Sequence, residues 1–218
     1  MADVPCICQV VCGQNPAYDY FACQHQLFYR DKVRSSVVWY DPVFKVTTLY
    51  GEDVWRRRHY RVRRFDSATT SCLYSYGSLR VPFVFATKNK QTKPNRAKQP
   101  GQFYFSVVDN GVVSNEYWRI LDCADDLTWA VFYYSGAAAA AGTSYTGALV
   151  VTPDGKWPDM TSKIGSGSTE TTIGNRIERA LKAAGIEMWE LFEVHNESCC
   201  GEDADGKISN PPPLGLPL

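Results

Sequence analysis

Three short apolar runs near the middle of the chain constrain its fold most. Tyr117-Trp118-Arg119-Ile120-Leu121, Thr128-Trp129-Ala130-Val131-Phe132-Tyr133-Tyr134-Ser135-Gly136 and Gly147-Ala148-Leu149-Val150-Val151 follow one another, parted by polar or small residues. Their β-branched and aromatic content suits a pleated surface. Side chains alternate faces along a strand, so Tyr133 and Tyr134 point to opposite sides of the sheet. One phenol then faces an interior while its neighbour faces out. A small antiparallel barrel places a polar group in an apolar interior in this way.

The rest of the chain extends the pattern. Strands are expected over 21–29, 37–40, 43–49 (after a break at Asp41-Pro42), 54–65, 79–86, 103–108, 112–121 and 188–194, with a turn at Asn110-Gly111. One helix stands out: Ile173, Ile177, Leu181 and Ala184 share a face, Thr171 or Thr172 caps the start, and Gly185 stops it. Many short strands and one late helix predict a mostly-β protein, a lipocalin-like antiparallel β-barrel with one C-terminal α-helix packed outside. An open sandwich is the alternative on pattern alone. Residues 1–14 read as a short cysteine-rich extension. The barrel takes 15–201, with an insertion loop at about 87–102, and 202–218 form a proline-rich tail. A free end of that composition is mobile unless a surface pins it.

Composition narrows the function. The 218 residues carry 23 basic and 23 acidic side chains, so the overall field favours neither nucleic acid nor a membrane surface. Six arginines crowd the 54–65 run, but strand alternation leaves neither face wholly basic. A solvated or partner-facing strand, or one touching acidic headgroups, is expected there, and no nucleic acid. No run of 18 apolar residues is present. No leader pattern shows at the N-terminus, so residence in an organelle would require a targeting segment already removed. The eight cysteines and three histidines lack metal-finger spacing, and no metal is expected. A disulfide framework in an oxidising compartment is favoured over buried thiols, with connectivity open.

Four patches in order resemble the central domain of violaxanthin de-epoxidase, a lipocalin-like enzyme of the thylakoid lumen. Asn15-Pro16-Ala17-Tyr18-Asp19-Tyr20-Phe21-Ala22-Cys23-Gln24 resembles the family's Asn-Pro-Thr-Phe-Asp-x-Phe-Asp-Cys-Gln. Glu116-Tyr117-Trp118-Arg119-Ile120-Leu121 resembles its Asp-Asp-Trp-Tyr-Ile-Leu. Val131-Phe132-Tyr133-Tyr134-Ser135-Gly136, then Tyr145-Thr146-Gly147-Ala148-Leu149-Val150, resemble its Val-Tyr-Tyr-Arg-Gly and Tyr-Gly-Gly-Ala-Val-Val. Residues 177–198 resemble its helix, last strand and Asn-Thr-Cys-Gly close. The likeness covers about 15–30 and 110–201.

The resemblance implies an epoxy-carotenoid substrate held in the barrel, ascorbate as reductant, and a place in the plastid thylakoid lumen, peripheral to the membrane. It implies Glu116 as the proton donor to the epoxide oxygen, Tyr134 as the hydroxyl that steadies developing charge, and Asp19 as a further acid near the barrel mouth. Trp118, Trp129 and Tyr145 would line the ligand. Cys23 would bridge to Cys199 or Cys200, leaving Cys72 and Cys123 as further disulfide candidates. Three departures bear on this. Glu116 stands where the family has aspartate, Ala22 replaces an acid, and His25 is displaced by one position, which in a strand is the opposite face. The family's long cysteine-rich N-terminal domain and glutamate-rich C-terminal region are not found here. Two functions compete on these grounds: an enzyme converting an epoxy-xanthophyll, and a catalytically silent scaffold subunit on a photosystem or light-harvesting complex. A pigment- or lipid-carrying lipocalin stands behind both.

Overall fold

The computed structural model describes residues 6–16, 18–34, 37–63, 101–109, 112–138, 142–165, 170–197, 199 and 213–215. The expected strand at 79–86, most of the 87–102 loop, Cys72 and Cys200 lie outside them. Nine strands come first: β1 (Cys6–Gly13), β2 (His25–Arg30), β3 (Val38–Thr47), β4 (Asp53–Arg57), β5 (Tyr60–Arg63), β6 (Gln102–Asp109), β7 (Val112–Cys123), β8 (Ala130–Ala138) and β9 (Thr143–Thr152). A small β10–β11 pair (Lys163–Ile164, Thr171–Thr172), helix α1 (Ile173–Ala183), a 3-10 turn (Met188–Glu190) and β12 (Phe192–Glu193) follow.

Strands β1, β2, β3, β5, β6, β7, β8 and β9 are antiparallel neighbours in that order, and β9 pairs back onto β1. The eight therefore close, and closure removes the exposed edges an open sandwich would leave. Strand β4 hangs from β3 and β12 from β1. The cysteine-bearing start of the chain is thus a wall of the barrel rather than an appendage.

Alternation sorts the side chains. Val10, Phe28, Val38, Tyr40, Val62, Phe103, Phe105, Trp118, Phe132, Tyr134, Leu149 and Val151 meet inside. Phe103 sits edge-on to Phe28 and Phe132, and Phe105 lies 4.9 Å from Tyr40 between ring centroids. Phe105 has 0% exposed surface, so no water-sized gap adjoins its ring. The opposite faces of β1, β8 and β9 present Val11, Val131, Ala148 and Val150 to Ile177, Ala180 and Leu181 of α1. Burying Ile177 and Leu181 contributes roughly 1.5–3 kcal/mol each. Thr172 caps α1 by accepting from the Asn175 N–H at 3.1 Å, and Gly185, at φ +78°, turns the chain out of it. Arg176 fastens the helix to the barrel, donating to Asp122 at 2.9 and 2.6 Å and to the Cys123 carbonyl at 2.7 Å.

Several elements differ from the pattern. Strand β3 runs straight through Asp41-Pro42. In an extended residue the N–H and C=O point the same way, and the Pro42 carbonyl accepts from the Arg58 N–H in the gap between β4 and β5. The missing proline N–H therefore faces that gap, and the β2–β3 ladder loses nothing. The 54–65 run is two strands, because Arg58-His59 is where β3 exchanges one partner for the other. Residues 188–190 are a 3-10 turn, which shortens the last strand to two residues.

Cys23 is bonded to Cys199, with Cα atoms 5.1 Å apart. Asn196 braces the bridge: its Oδ1 accepts from the Cys23 N–H, while its Nδ2 donates to the carbonyls of Val10 and Gly155. Cys123, a further disulfide candidate, is buried and forms no bridge to another described cysteine. It pairs with Ala130, which pairs with Val151, which pairs with Val10. Three strand steps are about 14 Å, beyond the reach of a disulfide to Cys8 or Cys12.

Candidate functional site

Two rows of inward residues cross β7, β8 and β9 side by side. In one, Glu116 pairs with Gly136 and Gly136 with Tyr145; in the other, Trp118 pairs with Tyr134 and Tyr134 with Gly147. Each glycine lies beside a tyrosine of a neighbouring strand. A Cβ at Gly136 would fall 2.3 Å from Cζ of Tyr145, and one at Gly147 would fall 2.2 Å from Cζ of Tyr134. The bare backbone is therefore the floor on which each ring lies. So placed, Tyr145 donates to Oε1 of Glu116 at 2.7 Å, and Tyr134 donates to Oδ2 of Asp19 at 2.8 Å.

Asp19 comes from outside the barrel strands. The Asn15-Pro16 turn folds the chain back, and the Asp19 N–H donates to the Asn15 carbonyl at 2.7 Å. The Asn15 N–H in turn donates to Oδ2 of Asp19 at 2.8 Å. The side chain enters over Gly13, where a Cβ would stand 2.1 Å from its own. Trp118 completes the group, donating from Nε1 to Oε2 of Glu116 at 2.9 Å and stacking on Tyr134 at 5.4 Å. Tyr18, half exposed, stacks on Tyr145 at 5.6 Å and covers the site's outer side.

Two carboxyl groups buried at one end of an aromatic interior cannot both ionise freely. Burial pushes Asp19 up to about 7 against the opposing hydrogen bonds from Asn15 and Tyr134, and the Glu116 charge pushes the same way. Burial also raises Glu116, while its bonds from Trp118 and Tyr145 pull it back. Burial and the Asp19 charge hold the Tyr134 phenol far above its ordinary range. Below about pH 7 the arrangement offers a neutral acid at Asp19, beside a glutamate whose two oxygens are both held by donors. Tyr40, also pushed well up by burial, donates to Oε1 of Gln26. The Nε2 of Gln26 is buried with no hydrogen-bond partner. An unmet amide donor costs about 1–3 kcal/mol, so an acceptor arriving there is favoured.

Of the residues expected from sequence, Asp19, Glu116, Trp118, Tyr134 and Tyr145 stand together. Trp129 does not join them. It packs on the outer wall with Ile177 and Leu181, and the Arg176 guanidinium lies 5.0 Å from its ring. Its parity required this: positions 132 and 134 face in, so 129 faces out. His25 likewise points outward, where burial pushes it down to about 4 and its Nε2 lies 3.1 Å from the Gln9 amide. Gln26, Tyr40 and the three glycines were not expected. Counting by twos from Phe28 would have put Gln26 inside, and the small residue opposite each inward tyrosine was a readable signal. Among the described residues no cluster of three or more His, Cys, Asp or Glu could hold a metal ion.

Comparison with known proteins agrees with this architecture. The family model described as the VDE lipocalin domain matches residues 8–196. No curated protein sequence matches the chain. Among solved structures, the cockroach allergen Per a 4 is 8% identical with a TM-score of 0.50, covering 88% of this chain and 85% of its own. The siderocalin Ex-FABP, described as functioning through dual ligand specificities, is also 8% identical at a TM-score of 0.50, covering 93% of this chain and 100% of its own. Insecticyanin from the tobacco hornworm Manduca sexta is 10% identical at 0.49, covering 89% and 79%. At such identities the likeness to Per a 4 and Ex-FABP speaks for the barrel alone. The match over most of its length makes this chain a member of the violaxanthin de-epoxidase lipocalin-domain family.

Proposed function

We propose that the barrel binds the ring end of an epoxy-xanthophyll at the Asp19–Glu116 end and that Asp19 protonates the epoxide oxygen. The observation that carries this is the raised Asp19 carboxyl, buried against Tyr134 and within the field of Glu116. An epoxide leaves its carbon more readily as its oxygen gains a proton, and a neutral carboxylic acid is the group that supplies one. Glu116 was the expected donor from the family likeness. Its two oxygens are already committed to Tyr145 and Trp118, which suits it better to steadying positive charge on the opening carbon. The unmet donor of Gln26 suits a ring oxygen of the ligand. An ascorbate monoanion supplies two electrons and one proton, Asp19 supplies the second proton and regains it from solvent, the oxygen leaves as water, and the single bond between the two epoxide carbons becomes a double bond. Neutralising Asp19 below about pH 7 also removes the repulsion an anionic reductant would meet, which fits an acidic lumen, and the Cys23–Cys199 bridge fits an oxidising one. Purified protein given violaxanthin and ascorbate near pH 5 should form product, and Asp19→Asn should slow it on the order of 100-fold or more. No turnover by the wild-type protein overturns the reading.

One observation favours a second reading, a silent scaffold subunit of a photosystem or antenna complex. Phe28, Phe103, Phe105 and Phe132 fill the interior below the acids. A carotenoid rod passing through the barrel would have to displace them. Co-purification with such a complex, without turnover, supports this reading; recovery as a lone monomer counts against it.

A further inference from the structure

On the outer wall of β2, β3 and β4, away from the two interior acids, a second built site holds part of the chain's own tail. Asp41 has no exposed surface, yet it gathers four polar contacts. Arg57 pairs with its Oδ2 through Nη2 at 2.6 Å and donates from Nε at 2.7 Å. Tyr29 donates to the same oxygen at 2.9 Å, and Nδ1 of His59 lies 2.8 Å from Oδ1. Trp39 stacks on His59 at 4.1 Å and closes the group from one side. A guanidinium held along one edge presents its remaining N–H groups in a fixed direction. Nη1 of Arg57 donates to the carbonyl of Pro213 at 2.8 Å and also to that of Gly215. Between those two carbonyls, Leu214 packs among Leu27, Tyr29, Val43, Trp39 and Trp55.

A fixed donor reading two carbonyls at positions i and i+2, with the intervening side chain in an apolar pocket, is how an extended peptide is recognised. Pro213 limits the freedom such a segment loses on docking. We propose that this wall is a peptide-recognition site for a proline-flanked leucine, and that its resident ligand is the Pro213-Leu214-Gly215 segment, docked in cis. Arg57 reads the backbone, Asp41 aims Arg57, and Leu27, Tyr29, Val43 and the two tryptophans read the leucine. A leucine-bearing peptide from another protein enters only by displacing the tail.

The test uses the full chain. Leu214→Ser removes the side chain that fills the pocket and so leaves the groove open. A synthetic nonapeptide with the sequence of residues 210–218 is then titrated by calorimetry into the L214S chain and into the wild type. A segment tethered through residues 200–212 meets its groove at an effective concentration on the order of 1 mM, so docking in cis requires a Kd in trans no weaker than that. The L214S chain should bind one peptide within this range, and the wild type at least about twofold more weakly, by the ratio of the tail's effective concentration to that Kd plus one, because its own tail competes. A peptide with serine in place of the leucine should not bind. Arg57→Lys in the L214S chain keeps the charge against Asp41 but loses the fork, and should weaken binding tenfold or more. A Kd weaker than about 1 mM, equal binding by wild type and L214S, or equal binding of the serine peptide would each overturn the proposal.

Discussion

Tyr134 and Asp19 lie 115 residues apart in the chain and share a 2.8 Å hydrogen bond inside the barrel. The phenol reaches that oxygen because Gly147 lacks a side chain, and the carboxyl reaches the phenol because Gly13 does. Burial nevertheless outweighs the bond, and the acid keeps its proton to about pH 7.

Stability should therefore depend on pH through Asp19. Its carboxyl is raised from 3.8 to about 7 in the folded state, so the folded chain holds the proton more tightly. The resulting stabilisation is fully present below pH 3.8 and is lost as pH rises through about 7; its size is at most about 4 kcal/mol. Urea unfolding at about pH 4.5 and pH 8 should show the wild type losing more stability over that range than Asp19→Asn. Identical losses would place the Asp19 carboxyl in water.

Gly147→Ala should act on the acid at a distance. The new methyl would stand 2.2 Å from the Tyr134 ring, which must leave its bond to Asp19. Overpacking costs about 1–3 kcal/mol. Because that bond holds Asp19 down, its loss should raise the carboxyl further, readable in the pH profile of stability or of turnover. A variant that is destabilised with its profile unmoved would separate Tyr134 from Asp19.

Much of the barrel was legible because alternation is local. The twin tyrosines, the helix face of Ile177 and Leu181 and the Thr172 cap all follow from spacing within one element. Asp19 was legible only through family likeness, since nothing near it in sequence announces Tyr134. The continuity of β3 through Pro42 was hidden, because it depends on a partner exchange in another strand. Trp129 was misplaced although its parity was readable. Arg57 was read as one of a solvated run, and only the fold brings Asp41 and the tail to it.

Removing the disulfide should cost much of the chain's stability. Cys23 and Cys199 enclose a loop of 176 residues in sequence separation, and a bridge that long contributes about 2–5 kcal/mol. Cys23→Ser should lower the denaturant midpoint accordingly. Reductant should lower the wild-type midpoint more than that of the variant.

Arg176→Met should loosen α1 without touching the interior acids. It removes the paired bonds to Asp122 and the bond to the Cys123 carbonyl. A loss of about 2 kcal/mol is expected, with faster amide exchange in 173–183 than in β8 and β9. Equal acceleration throughout would show that the helix and barrel open as one unit.

Proton donation at this site requires a carboxylic acid kept neutral inside the barrel at Asp19. Carbon-13 NMR titration of the Asp19 side-chain carboxyl reads this directly, assigned by comparison with Asp19→Asn. A midpoint near 7 is predicted. A midpoint near the ordinary 3.8 would mean that Asp19 is ionised and solvated, and would contradict its role as proton donor.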